Sequence, residues 1–189
     1  MRYEIWEAYL MKNILNKLHT DHMNFMKLLT YLEKQYRLLE NCERSELSSV
    51  LDAIKYMKEY PDYIHHPLEN IVFKYYLDHY EEAHGKITEL LHEHEEMPLL
   101  TNKLIGMLQG ALTDMPQRRD ELCRHLEKYI SIQKNHMNEE EAHIYPILDS
   151  TFNENDWNNI DNKLAHVEDP LFGEKVKKSY QGLIQQIVD

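Results

Sequence analysis

The stretch that decides the fold is residues 118–149, RRDELCRHLEKYISIQKNHMNEEEAHIYPILD. Its apolar side chains recur at steps of three and four residues, which places them on one face of a long helix. In the middle of that face the apolar series turns polar, and the seam reads Leu122, Leu126, Tyr129, Gln133, His136, Glu140, His143, Ile147. The stretch therefore predicts a long helix that presents imidazole and carboxylate side chains to a buried core.

Three earlier stretches show the same periodicity, and prolines at 61 and 67 bend or interrupt the second of them. They cover residues 14–39, 45–78 and 87–112. Beyond Ser150 two shorter amphipathic segments follow. The pattern predicts an all-α protein, an antiparallel up-down four-helix bundle with two additional C-terminal helices. We expect an N-terminal extension at 1–10, the bundle at 11–150 and a helical appendage packed on the bundle at 151–189.

Composition excludes several classes of protein. The 189 residues carry a formal net charge of −12, which argues against nucleic acid as a partner. Five glycines and six prolines are few for a fold of short strands and tight turns. Cys42 and Cys123 form no motif, so we expect no disulfide framework, no thiolate metal site and a cytoplasmic location. The charged residues within Met1–Asn13 argue against a signal peptide or a membrane span.

The chain has 12 histidines, and each predicted long helix carries one on or beside its seam. In antiparallel neighbours, residues at equal height are equidistant from the turn that joins their helices. With His65/Glu69 and His136/Glu140 each taken at the centre of the pair, the midpoints between successive helices fall in the turn predicted at 41–46, beside the break predicted at 78–80, and at Pro116. The sequence therefore predicts one buried polar layer, in which two Glu residues lie four residues after a His: His22, His65, Glu69, His94, His136 and Glu140.

Buried imidazoles and carboxylates must be paired or must coordinate a metal. Six nitrogen and oxygen ligands exceed the four that a structural zinc ion uses. Two metal ions that are bridged by Glu69 and Glu140, each with about two histidines, satisfy the number of ligands. Ligation without thiolate suits non-haem iron or manganese, and zinc is not excluded.

A ferritin-like diiron site is the nearest alternative, because residues 81–84 and 140–143 both read E-x-x-H. That site also requires a lone Glu on each of the other two helices. The seam positions there are His22 and His94, so the alternative fits less well.

Five further side chains are expected around the layer as substitute ligands or as neighbours of the ligands. Among them, His143 lies one turn beyond Glu140 in the predicted seam. Two others precede His136 on the same seam and are expected to line a cavity and hydrogen-bond a bound ligand. The five are Glu141, His143, His66, Tyr129 and Gln133.

At these residues the sequence resembles the hemerythrin-like family, the HHE cation-binding proteins, which carry a non-haem diiron centre in a four-helix bundle. The matching stretches are 20–22, 65–73, 93–95 and 136–146. The tail resembles a bacterial subgroup, in residues 156–161 and in the DPLFG sequence of 169–173. Met11 resembles the usual start of the family, so Met1 to Leu10 is interpreted as an upstream extension or a misplaced start codon.

The resemblance implies the same six ligands, with two departures from the oxygen-carrying hemerythrins. Those proteins have a further His four residues before the third-helix ligand, where this chain has Leu90. Their fourth-helix carboxylate lies five residues after its His, which makes Glu141 the alternative to Glu140.

The predicted function is that of a diiron protein whose two iron ions bind or react with O₂, NO or peroxide, in sensing, binding or detoxification. One alternative is an iron storage or donor protein for iron-sulfur cluster repair. Another is a non-catalytic interaction module, in which the apolar stripe of the last helix caps the bundle or forms a homodimer.

Overall fold

The computed structural model describes residues 2–113, 118–162 and 167–188, with side chains from 14 to 187. Helix α1 is Arg2–Glu40 and helix α3 is His84–Leu112. Helix α2, residues 47–79, consists of the α-helix Leu47–Met57, the π-helical segment Lys58–His65 and the α-helix His66–His79. Helix α4, residues 119–151, consists of Arg119–Glu139, the π-helical segment Glu140–Ile144 and Tyr145–Thr151. Helix α5 is Glu154–Asp161, and a 3₁₀ turn, Lys178–Tyr180, leads into helix α6, Gln181–Val188.

The four long helices form the bundle. Helix α1 packs against α2 and α4, and helix α3 packs against the same two. The turn at 41–46 joins α1 to α2, as predicted. The turn at 80–83 joins α2 to α3 and overlaps the break predicted at 78–80 only at Tyr80, whereas the predicted turn at Pro116 lies outside the described residues. The predicted all-α bundle with two additional C-terminal helices is confirmed, and the domain boundaries stay predictions. None of the helices described is long and apolar enough to cross a membrane.

The apolar core has two parts with a polar layer between them. The cluster nearer the 41–46 turn includes Phe25, Ile54, Leu108 and Leu126. The cluster nearer the 80–83 turn includes Leu18, Val72, Ile87 and Leu148. Burial of apolar surface on both sides keeps water away from the polar layer and holds its side chains in fixed positions.

Each of α2 and α4 has a π-helical segment beside this layer. The His66 amide donates to the carbonyl of Pro61, five residues earlier, and the corresponding bond in α4 also spans five residues. A proline lies two residues after the end of each segment, Pro67 in α2 and Pro146 in α4. Proline has no amide hydrogen, and in an α-helix its ring clashes with the carbonyl four residues earlier. One extra residue in the turn relieves that clash, so α2 continues through the predicted bend.

The extra residue changes which side chains of α4 face the core. Ile144 and Tyr145 are buried in the structure, whereas the His143 side chain is 48% exposed and lies 3.7 Å from Glu139. The prediction that His143 continues the buried seam is therefore wrong, because the π-helical segment rotates it outward.

The C-terminal segments cover the face formed by α1 and α2. Helix α5 packs on both of these helices, and so does α6. Asp169, in the loop between α5 and α6, accepts a hydrogen bond of 2.9 Å from the Tyr56 hydroxyl. Tyr180 and Leu183 are buried in the core, so the apolar stripe of the last helix faces the bundle. A homodimer surface stays a prediction.

Candidate metal centre

Four histidines, one from each bundle helix, point the same ring atom toward one another in the polar layer. The Nε2 atoms of His22 and His65 are 3.0 Å apart, and those of His94 and His136 are 2.9 Å apart. None of the four residues is more than 5% exposed. We call His22 with His65 the first half-site and His94 with His136 the second half-site.

Glu69 lies between the two half-sites and is fully buried. Its Oε1 atom is 3.2 Å from Nε2 of His65, and its Oε2 atom is 3.4 Å from Nε2 of His94. The carboxylate thus presents one oxygen to each half-site, which is the arrangement of a ligand that bridges two metal ions.

Glu140 is placed in the same way from the opposite side. Its Oε2 atom is 3.4 Å from Nε2 of His22, and its Oε1 atom is 3.2 Å from Nε2 of His136. Glu141, the alternative from the resemblance, lies outside the layer, with Oε1 2.9 Å from Nδ1 of His22 and Oε2 3.0 Å from His19. Glu140 therefore lies between the half-sites, and Glu141 supports His22 from outside.

The outer ring nitrogen of every one of the four histidines meets an oxygen acceptor. The Nδ1 contacts are His22 to Glu141 at 2.9 Å, His65 to Asp21 at 3.1 Å, His94 to Asn70 at 2.7 Å and His136 to Glu93 at 2.7 Å. An acceptor at Nδ1 favours the tautomer with its hydrogen there, which leaves the Nε2 lone pair directed inward. Two such lone pairs about 3 Å apart repel each other unless a proton or a metal cation lies between them.

The carboxylate oxygens point to the same conclusion. Among the described residues, Oε2 of Glu69 and both carboxylate oxygens of Glu140 are buried without a hydrogen-bond partner. A buried carboxylate without compensation is strongly unfavourable. Two groups of buried residues have the spacing to hold a metal ion, and the residues fit a pair of cations: His22, His65 and Glu69, and His66, Glu69, His94 and His136.

Protons take the place of such cations when no metal is bound. Burial alone would lower the pKa of His65, but the Glu69 carboxylate beside it raises that pKa to about 9. His136 is likewise buried, and Glu140 raises its pKa to about 10. Burial and the neighbouring Glu69 would raise the pKa of Glu140, but His136 lowers it to about 2. The two carboxylates therefore favour the protonated form of His65 in the first half-site and of His136 in the second.

Sequence reasoning missed Tyr145. Its ring stacks on His22 with centroids 5.4 Å apart, and its hydroxyl lies 3.3 Å from Nε2 of His22. The same hydroxyl donates a hydrogen bond to Oε1 of Glu69. Burial raises the pKa of Tyr145 well above its usual value, so the hydroxyl remains a donor. The signal in the sequence was Pro146, which marks the widened turn that brings Tyr145 into the layer.

A second buried polar group, which we call the adjacent polar layer, lies next to the second half-site toward the 41–46 turn. Its members are Asp62, Thr101, Tyr129 and Gln133. Among the described residues, both Asp62 oxygens, the Tyr129 hydroxyl and Nε2 of Gln133 make no hydrogen bond of good geometry. Burial raises the pKa of Asp62 to about 7. Tyr129 and Gln133 are thus buried next to the second half-site, and their predicted role in lining a ligand cavity stays a prediction.

The comparison with known families agrees with this geometry. Residues 13–148, most of the chain, match the family described as Hemerythrin HHE cation binding domain. No curated protein and no solved structure matches the chain significantly. The bacterial subgroup with the tail at 169–173 stays a prediction, because that tail lies beyond the matched residues. With its buried clusters of histidine and glutamate in a four-helix bundle, the chain belongs to the hemerythrin HHE cation-binding domain family.

Proposed function

We propose that this protein is a cytoplasmic non-haem diiron protein that binds or reacts with a small oxygen or nitrogen species, namely O₂, NO or peroxide. The observation that carries the proposal is the set of four inward Nε2 atoms with two carboxylates, each of which faces both half-sites. Imidazole and carboxylate ligands without thiolate are typical of non-haem iron sites. His22, His65, Glu69, His94, His136 and Glu140 would hold the two ions, and manganese or zinc would fit the same ligand types.

Iron bound there supplies a coordination position at which a small ligand can bind. The protein's own groups fix the geometry around that position. The oxygen acceptors at the four Nδ1 atoms orient the imidazoles, and the apolar clusters on both sides exclude bulk water. The Tyr145 hydroxyl lies 3.3 Å from Nε2 of His22 and donates to Oε1 of Glu69; if that oxygen binds a metal ion, the hydroxyl could instead donate to a ligand and stabilise partial negative charge on it.

A second possibility is that Tyr129 and Gln133 hydrogen-bond the bound O₂, NO or peroxide. Both side chains are buried in the adjacent polar layer, and among the described residues neither the Tyr129 hydroxyl nor Nε2 of Gln133 has a hydrogen-bond partner of good geometry. A ligand in contact with these residues would have to bind on the side of the second half-site. Replacement of either tyrosine hydroxyl, at 129 or at 145, separates the two possibilities.

The test is the metal content of the protein purified without chelator, together with an absorption spectrum before reduction, after reduction and after exposure to air. We expect about two irons per chain and a near-ultraviolet charge-transfer band that disappears on reduction and returns in air. A chain that contains no metal, and takes up none from Fe(II) without oxygen, would contradict the proposal. The polar layer would then be a paired structural network.

Chelator competition separates this function from the alternative of iron storage or donation for iron-sulfur cluster repair. A storage or donor protein must release metal readily, whereas a sensor or detoxifying protein must keep both ions. All six proposed ligands are at most 5% exposed, and acceptors hold all four imidazoles, which favours retention. We expect a chelator in moderate excess to remove neither iron within minutes. Prompt loss of one iron would favour the donor function instead.

A further inference from the structure

His66 is a buried histidine that is not among the six proposed ligands. It follows His65 directly, so its side chain leaves helix α2 at a different angle and lies on the side of the second half-site. Its ring is 4% exposed, stacks on His94 with centroids 4.4 Å apart, and meets the ring of His136 edge-on at 5.5 Å. One of its ring nitrogens lies within 4.8 Å of ligand atoms of Glu69, His94 and His136.

The other four histidines show what surrounds a ligand imidazole in this layer. Each has one nitrogen that faces the centre and one that meets an oxygen acceptor at 2.7 to 3.1 Å. His66 has an acceptor in the corresponding place, because Asp62 lies one helical turn earlier with Oδ1 3.8 Å from Nδ1 of His66. Neither this nitrogen nor either oxygen of Asp62 makes a hydrogen bond of good geometry to another described residue. The pair is therefore buried, unsatisfied and one small movement from the geometry of the other four.

We propose that His66 is a fifth imidazole ligand, bound to the metal ion of the second half-site, with Asp62 as the acceptor for its outer nitrogen. The proposal rests on the diiron centre of the proposed function. It makes the two metal ions unequal, since the second has three imidazoles and the first has two. The open coordination position then falls on the first half-site, beside the Tyr145 hydroxyl.

The other interpretation is that His66 is a packed aromatic ring that covers His94 without binding a metal. A count of imidazole ligands distinguishes the two interpretations. X-ray absorption fine structure of the full-length protein loaded with iron gives that count from the multiple scattering of imidazole rings. We expect five imidazoles per iron pair in the wild type and four in His66→Phe, which keeps a ring for stacking but has no ring nitrogen.

The second measurement is the affinity for Fe(II), titrated without oxygen. We expect His66→Phe to retain one tight iron and to bind the other about 10- to 100-fold more weakly. Asp62→Ala should weaken the same iron about tenfold, and Asp62→Asn, which keeps an acceptor oxygen, should recover much of that loss. The matched control is His143→Phe, because His143 is half exposed and contacts only Glu139 among the described groups that carry charge.

The outcomes separate this inference from the proposed function. A wild type that binds two irons through four imidazoles, or a His66→Phe variant with wild-type affinity for both irons, overturns the fifth ligand and leaves the diiron centre intact. A wild type that binds no iron overturns both. The wild-type imidazole count decides the matter even where His66→Phe does not fold.

Discussion

The two half-sites have the same inner ligands but different surroundings. In each, two Nε2 atoms 2.9 to 3.0 Å apart face the same two carboxylates. The outer partners differ in charge. Carboxylates of Asp21 and Glu141 hold the first half-site, whereas one carboxylate, Glu93, and one amide, Asn70, hold the second. A metal ion in the first half-site would therefore have the more basic imidazoles.

Besides the two outer partners, each half-site has one further side chain beside its histidines, and this side chain also differs. The first has the Tyr145 hydroxyl, which can donate a hydrogen bond, and the second has the His66 ring. The two half-sites have nearly the same proposed ligands, so they differ mainly in the residues that contact those ligands. If the site holds two metal ions, we expect those neighbours, and not the six proposed ligands, to decide which ion binds an external ligand.

The largest effect is expected from removal of one inner ligand. His94→Ala should reduce the iron content from two per chain to one or none, because the second half-site loses one of its two inner histidines. His22→Ala, the matching change in the first half-site, should do the same. Elemental analysis of the purified variants measures the result, with His143→Ala as a control that keeps both irons. Full occupancy in His94→Ala would contradict the assignment of the site.

The next effect is the dependence of stability on pH, which should exist only without metal. His65 and His136 have pKa values raised from 6.5 to about 9 and about 10 in the folded chain. Their contribution to stability is therefore fully present below pH 6.5 and is lost as the pH rises through 9 and 10. We expect the Tm of the metal-free protein to fall by about 5 °C or more over this range.

The metal-loaded protein is the control for that prediction. Metal ions replace both protons, so its Tm should follow only the titration of groups outside the layer. Thermal unfolding of both forms in the same buffers gives the difference between them. A metal-free protein that gains stability relative to the loaded form above pH 8 would show that the half-sites hold no protons.

The fold could be predicted from the sequence because helices of this length leave a regular trace of apolar residues. The positions of the polar residues along the bundle axis could be predicted from the same regularity. His22 and His136 are more than a hundred residues apart, yet equal distances from the turns place them in one layer. The six predicted side chains lie in one layer because each π-helical segment changes the number of residues between a side chain and its turn by no more than one.

The sequence failed where the helix is not regular. The π-helical segment in α4 adds a residue after Glu140, so His143 turns out to the surface and Tyr145 turns in. Periodicity cannot show such a segment, and only Pro146 marks its position. His66 was predicted only as a substitute ligand or a neighbour of the ligands, because two adjacent residues of one helix were not expected to face the same buried centre.

A smaller effect should follow from exchange of charge in the outer partners. Asp21→Asn leaves one carboxylate and one amide around the first half-site, which matches the second half-site. We expect the first iron to bind about tenfold more weakly, because a neutral acceptor makes His65 less basic. Asn70→Asp should have the opposite effect on the second iron. Stepwise Fe(II) titration measures the affinity for each iron. If neither Asp21→Asn nor Asn70→Asp differs from the wild type, the outer charges do not distinguish the half-sites.

The smallest effect concerns the external ligand and decides which half-site it binds. Tyr145→Phe keeps the ring that stacks on His22 but removes the hydroxyl, so the iron content should not change. If the open position lies on the first half-site, NO should dissociate about three- to tenfold faster, which is the usual effect of one lost hydrogen bond. Tyr129→Phe is the matched control, since it removes a buried hydroxyl on the side of the second half-site. Faster dissociation from Tyr129→Phe alone would place the ligand at the second half-site, and His66 could not then occupy that position.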